Sequence, residues 1–421
     1  MTRTTRIWVT LPALLAALGL ASAPAAQEET FNYDEAKVPP YTLPEVLKTE
    51  SGHAVATAQE WRDKRRPELL DLFRTHVYGR RPIEPGMTRF HVEESTPEYL
   101  HGKGKRQDVR AEWITPRGPV PMLSFTIFVP TQARRPVPAF VGMHLFDTAS
   151  PEPIPGKLLD QDVGAPLPGK RIMDVILERG YAIATLNAKD FCPDDKQTFR
   201  EGVLSTLYPD RSGPPAAEEG GAIATWAWGL SRALDYLERH GQFDARRVAV
   251  IGHSRMGKTA LWCGAQDERF AIVISNDSGC GGAALSRRIF GETVGRINRA
   301  FPHWFCGNFK TYNDRENELP VDQHELVALI APRPVYVASA REDGWADPRG
   351  EFLAALGAEP VYRLFGLAGM GTSELPPLNQ STGDFVGYHI RAGKHALTDF
   401  DWLKYLDFAD RHFGKRTATA K

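Results

Sequence analysis

The chain has 421 residues, 42% of them hydrophobic and 24% charged, with a formal net charge of −1. That is an ordinary globular composition, long enough for one large domain or two small ones. The near-zero charge gives no support to a nucleic-acid partner or a membrane-surface partner, both of which reward a basic surplus.

The chain opens with "MTRTTRIWVTLPALLAALGLASAPAAQEET". Arg3 and Arg6 make a positive start, residues 7–20 are mainly apolar, and small residues follow with A-x-A-like sites ending at Ala23 and Ala26. This three-part layout is that of a secretory signal peptide, residues 1–26, and predicts a secreted or periplasmic protein. The apolar run is shorter than the roughly 20 residues needed to span a bilayer, and no later stretch is long enough, so no membrane anchor is expected. Export permits disulfides. Cys192, Cys263, Cys280 and Cys306 allow three full pairings, or one bridge with two free thiols. Their spacing fits no zinc site.

Residues 27–107 read as an N-terminal segment that wraps the surface. A Pro-rich lead-in is followed by "TAQEWRDKRRPELLDLFRTHVYGRRP", whose Trp61, Leu69, Leu70, Leu72 and Phe73 recur at near-helical spacing, with Pro82 closing the segment. From residue 108 to 415 the pattern is strand, helix, strand, with 416–421 a tail. "MLSFTIFVP" and "VPAFVGMHLF" read as strands between Pro-rich turns. "ILERGYAIATLNA" reads as a helix end, a Gly stop and a buried strand. In "AIATWAWGLSRALDYLERHG" an apolar stripe of Ile223, Trp226, Leu230, Leu234 and Leu237 predicts a helix that ends at Gly241. "RVAVIG" is a strand and "SRMGKTALWCGA" a helix beginning in a tight turn. "FAIVISND", "PRPVYVASA" and "PVYRLFG" read as further buried strands, and "LTDFDWLKYLDFADRHF" as an amphipathic helix. Short apolar strands alternating with helices predict a mostly parallel sheet covered on both faces, a three-layer αβα sandwich. Ligands of such sheets bind beyond the carboxyl ends of the strands. Three of those ends carry His253-Ser254-Arg255, Asp277-Ser278 and Glu342-Asp343.

The stretch "GHSRMGKT" fits the phosphate-binding pattern G-x-x-x-x-G-K-[ST]. An exported protein meets little ATP, the glycines are sparse and the strand is central, so the pattern match carries little weight. The same stretch sets a serine on a turn between strand and helix. A serine hydroxyl is a weak nucleophile that needs a base, a group to orient that base and donors for the oxyanion. The α/β-hydrolase fold supplies these in the chain order Ser, acid, His, with the serine in G-x-S-x-G. Here the second glycine comes one place late. A purely capping serine is the structural alternative. The base is sought after the last strand, in "GYHIRAGKHALTDFDW". His395 precedes the final helix and is preferred over His389, which reads as a lone surface histidine. The orienting acid stays open between Asp277 and Asp343, with Glu342 and Asp347 flanking the latter.

"GHSRMGK", "SNDSGCGGAALSRR", "LPVDQHELVALIAPRPVYVASAREDGWADPRGEF" and "GYHIRAGKHALTDFDW" together resemble the glucuronoyl esterases of carbohydrate esterase family 15, in their bacterial form. "LFRTHVYGRRP" resembles the family's N-terminal part. The resemblance covers most of the chain and implies an α/β-hydrolase fold. It implies Ser254 as nucleophile and His395 as base. It favours Asp277, whose "DSG" matches the family's "ESG", as the acid, with Asp343 as the alternative used by some bacterial members. Arg255 matches the arginine that stabilises the oxyanion. Lys258, Glu292 and Trp345 match positions that contact the glucuronoyl sugar. The expected substrate is an ester of (4-O-methyl-)glucuronic acid joining glucuronoxylan to lignin. No cofactor or metal is implied, and a monomer is expected. Another carbohydrate serine esterase, such as an acetyl-xylan esterase, or a non-catalytic polysaccharide-binding protein are the alternatives.

Overall fold

The computed structural model describes residues 31–82, 86–94, 99–115, 118–134, 136–146, 171–208, 213 and 215–414. The expected signal peptide and the tail lie outside the described residues. The chain divides into Met1–Phe31 and Asn32–Lys421, and the second of these is described below.

Among the described residues, ten strands lie in one sheet: β1 (Met87–Glu94), β2 (Gly104–Thr115), β3 (Gly118–Pro130), β4 (Val137–Met143), β5 (Ala182–Leu186), β6 (Phe243–His253), β7 (Ile272–Asn276), β8 (Val335–Ala340), β9 (Ser381–Thr382) and β10 (Val386–Arg391). Their order is β1-β2-β3-β5-β4-β6-β7-β8-β10-β9. The six from β5 to β10 in that order run parallel, and β1, β2, β3 and β9 pair antiparallel at the two ends. The parallel strands are apolar on both faces because side chains alternate with period two. Phe140, Ile251, Ile274 and Tyr336 enter one core, and their neighbours Val141, Val250, Val273 and Val337 enter the other.

Helices cover both faces. A short α1 (Ala58–Glu60) passes through a π-helical turn into α2 (Arg66–His76). There follow α3 (Ile172–Glu178), α4 (Val203–Leu207), α5 (Ala222–Arg239), α6 (Arg255–Gln266), α7 (Val294–Ala300), α8 (Gln323–Ala328), α9 (Pro348–Leu364) and α10 (Asp399–His412). α3 and α10 pack on the Phe140 face, while α5, α6, α8 and α9 pack on the Val141 face. The stripe read in α5 is the one buried there, and each of its large side chains removed from water stabilises the fold by roughly 1.5–3 kcal/mol.

Four sequence readings are corrected. "PVYRLFG" is not a strand but the end of α9, in spite of Pro360 within the helix. Asp347 caps that helix through Gly350 N, Pro348 fits its first turn, and burial of Val361 and Tyr362 outweighs the strand propensity of the segment. The last long strand is instead β10. The boundary drawn at 107/108 falls inside β2, and β1 lies wholly before it. The N-terminal segment thus supplies sheet edge as well as wrapping. The charged, largely exposed "MTRFHVEE" of β1 gave no apolar alternation to read. Finally, all four cysteines are free and buried, so no disulfide forms among them.

Candidate active site

β6 ends at His253, and Ser254 follows at φ 58°, ψ −127°. L-residues rarely adopt such a backbone unless the surroundings enforce it. Ser254 N donates to Asn276 O at 2.9 Å, and Ser254 O accepts from Gly257 N at 2.9 Å and Lys258 N at 3.2 Å. Close approach dictates both glycines. A Cβ on Gly252 would lie 1.8 Å from Met256 O, and one on Gly257 would lie 2.9 Å from Ser278 Cβ. The late glycine is therefore the residue that lets α6 settle against the loop after β7. Ser254 stands at the N-cap of α6 but its side chain makes no cap bond, so the hydroxyl is not consumed by capping.

Ser254 and His395 both line a cleft of about 430 Å³ whose other walls include Leu145, Phe146, Leu397 and Trp402. His395 Nδ1 lies 2.6 Å from Asp343 Oδ2. That bond fixes the ring and leaves Nε2 as the nitrogen available to a reacting group. Asp343 sits in the loop after β8, and its other oxygen accepts from Ala346 N at 3.4 Å. The sequence preference for Asp277 as His395's partner is not what the structure contains. Asp277 Oδ2 accepts from Arg391 Nη2 and from Ala396 N, each at 3.3 Å. The carboxylate still lies beside the ring, since the nearest ligand atoms of Asp277, Asp343 and His395 fall within 4.8 Å of one another. Burial, then the charge of Glu351, push the Asp277 carboxyl well above the usual carboxylate range, against the pull of Arg391. A carboxyl that resists ionising is a poor partner for an imidazolium.

His389 is fully buried within β10 rather than on the surface. Its Nε2 lies 2.9 Å from Asp401 Oδ1 and its Nδ1 lies 3.0 Å from Tyr336 Oη. Asp401 also accepts from Arg391 Nε, and Arg391 Nη2 donates to Lys394 O at 2.9 Å and Ala396 O at 2.6 Å. Arg391 so grips the backbone on either side of His395. The adjoining His253 packs its ring 4.5 Å from that of His395. Burial first, and then His395, push the His253 pKa down to about 4, and it stays neutral beside His395.

Arg255 was expected to stabilise the oxyanion. Its Nε forms a 2.8 Å ion pair with Asp194 Oδ2, in a half-exposed position on the cleft wall. Asp194 Oδ1 in turn lies 2.9 Å from His303 Nε2 and accepts from Trp304 Nε1 at 2.7 Å. Burial would raise the Asp194 pKa, but these bonds and the Arg255 charge hold it below its ordinary value. Lys258, expected to contact the glucuronoyl sugar, is buried. Its Nζ donates to Ser278 O at 2.5 Å and lies 3.8 Å from Glu292 Oε2. Burial raises the Glu292 carboxyl, and Lys258 and a hydrogen bond from the Trp345 side chain oppose that rise. The structure therefore brings Lys258, Glu292 and Trp345 together. Asp194, Glu351 and Arg391 were missed in the sequence, because each is a lone charged residue in an unremarkable stretch.

The sequence profile described as "Glucuronyl esterase, fungi" matches residues 114–366. A relative named "Carbohydrate esterase MZ0003", from an unknown prokaryotic organism, is 43% identical over 409 residues, 92% of this chain and 93% of its own. The glucuronoyl esterase of Solibacter usitatus superposes with a TM-score of 0.80 at 42% identity, over 90% of this chain and 100% of that one. A promiscuous esterase of carbohydrate esterase family 15 from a marine bacterial metagenome gives 0.77 at 41% identity, over 91% and 100%. The fold is that of the α/β-hydrolases, and the chain belongs to the glucuronyl esterase family.

Proposed function

We propose that this esterase hydrolyses esters of 4-O-methyl-glucuronic acid, as they join glucuronoxylan to lignin, through a glucuronoyl-enzyme. The observation that carries the reading is the Asp343–His395 pair opening onto the same cleft as Ser254 at its strained turn. His395 Nε2 takes the Ser254 proton as Oγ attacks the ester carbonyl. Asp343 holds the imidazole and stabilises it once charged. Arg255, steadied by Asp194, and the first backbone N–H groups of α6 receive the oxyanion. His395 returns the proton to the departing alcohol, and water then cleaves the acyl-enzyme. Lys258, Glu292 and Trp345 take the sugar, with Glu292 and the remaining Lys258 donors meeting its hydroxyls and Trp345 offering a flat apolar face. No step calls for a metal or a cofactor.

Residues 1–26 support export, and we read the working form as a monomer beginning at Gln27. Among the described residues no helix is long and apolar enough to cross a membrane. Purified protein should turn over benzyl glucuronate with a far higher kcat/KM than acetylated xylan. Equal or reversed rates would favour an acetyl esterase, and binding to xylan without turnover of either ester would end the enzymatic reading.

A further inference from the structure

The segment ahead of the first helix reaches the site, and the proposed mechanism does not use it. Three stretches far apart in sequence are laced together there. Gly291 N donates to Asn32 O at 2.8 Å, and Glu292 N donates to Trp345 O at 3.0 Å. A Cβ on Gly291 would lie 2.4 Å from Gly344 O and 2.6 Å from Trp345 O, and one on Gly344 would lie 3.1 Å from Tyr33 Cδ1. Arg288 ties the same stretches by charge. Its Nη2 lies 2.7 Å from Glu35 Oε1 and its Nε 2.8 Å from Asp347 Oδ2, with the Arg288 side chain only 3% exposed. A guanidinium so enclosed holds its partners firmly, because one-sided loss would strand a buried charge. The segment is anchored, and Tyr33 sits on it between the anchors.

Tyr33 is 55% exposed. Its ring meets Phe290 edge-on, with centroids 6.3 Å apart at 86°. Partial burial and the charge of Asp343 both raise its phenol above the ordinary value, which puts it within electrostatic reach of the carboxylate that bonds His395. A broad apolar ring, held still with a face in water and a polar tip, suits a pyranose, whose C–H face lies flat on it while its hydroxyls stay hydrated. The departing alcohol must meet His395, and the cleft that His395 lines does not include Tyr33. Tyr33 adjoins Gly344 and hence Trp345, on the sugar side.

We infer that Tyr33 forms a second aromatic platform next to Trp345, and that its ligand is the pyranose to which the glucuronoyl group is attached in the polysaccharide. This rests on the esterase reading above. The test compares Tyr33→Ala and Tyr33→Phe with the wild type on two substrates, benzyl glucuronate and a methyl glucuronoyl ester carried on a xylo-oligosaccharide. In Tyr33→Ala the kcat/KM ratio of the oligosaccharide ester to the benzyl ester should fall about fivefold or more, through KM, which is the size of one lost aromatic contact. Tyr33→Phe, which keeps the ring, should retain the wild-type ratio. An unchanged ratio in Tyr33→Ala overturns the platform. So does an equal fall on both substrates with a lowered melting temperature, since that is the mark of a residue that only packs the segment. A wild-type enzyme inert on both esters would instead sink the esterase reading, and the platform with it.

Discussion

The two halves of the proposed catalytic apparatus are built differently. The Ser254 turn is made almost wholly by residues 252–258, a strand end and the first turn of one helix, packed on the backbone of the next strand. The His395 half is assembled from the loops after β7, β8 and β10, with Asp277, Asp343 and Arg391 converging from positions that together span 114 residues. A local turn records its geometry in residue types, since Gly252 and Gly257 are the only choices that fit. A site assembled across loops records no such thing, because either of two aspartates has the chemistry and only the fold decides which one bonds the ring. The turn is rigid by sterics, and the histidine loop by buried charge.

Each half is open to a direct break. Ser254→Ala should lower kcat on a glucuronate ester by about 10⁴-fold or more, with the fold intact by circular dichroism. Appreciable retained turnover would remove Ser254 from the mechanism. Asp343→Asn should cost on the order of 10³-fold, because the amide cannot stabilise the imidazolium and favours the wrong tautomer. Asp277→Asn should cost less than about tenfold in kcat while lowering the melting temperature, since its work is to hold Arg391 and Ala396 N. If Asp277→Asn were the more damaging in kcat, the acid would be Asp277, and the hydrogen bond to Asp343 would be an orienting contact only. Arg255→Gln tests the border between the halves. One lost oxyanion donor should reduce kcat by about 10²-fold with little change in KM, and a change confined to KM would make Arg255 a substrate anchor.

The local half was therefore legible. The strand "RVAVIG", the serine, the late glycine and the following helix were all readable, and so was His395 from its place before the last helix. Even the carboxylate that bonds its ring was narrowed to two residues at the ends of β7 and β8. The choice between them was not legible, because it depends on Arg391 occupying Asp277, and nothing around "HIRAGKH" announces a buried arginine that bonds three carbonyls of its own loop. Lys258 shows the same limit. Its position four residues after Ser254 was clear, but its engagement with Ser278 O and Glu292 is a tertiary fact. "PVYRLFG" failed for a third reason. Its β-branched and aromatic residues describe a buried face, and both a strand and the last turn of a helix can provide one.

Glu351 offers the finest test of the assembled half. It is fully buried on α9, where Oε1 accepts from Ser278 N at 2.7 Å and Gly279 N at 3.0 Å, and Oε2 accepts from Ser339 Oγ at 2.6 Å. It thereby ties the loop holding Asp277 to β8. Burial drives its pKa from an ordinary 4.5 up to about 7, against those hydrogen bonds. A folded pKa above the unfolded one means that the folded protein binds more protons between the two values. This group's contribution is therefore fully present below the unfolded pKa and is lost as pH rises towards about 7. Glu351→Gln keeps an acceptor for the two amides and donates to Ser339, with no charge to bury. The melting temperature of the wild type should consequently fall relative to that of Glu351→Gln as pH is raised from about 5 to about 7, while kcat of the variant at neutral pH stays within about twofold. Parallel melting curves would mean that Glu351 keeps one protonation state across that range, and the loop carrying Asp277 would then be held by a permanent buried charge.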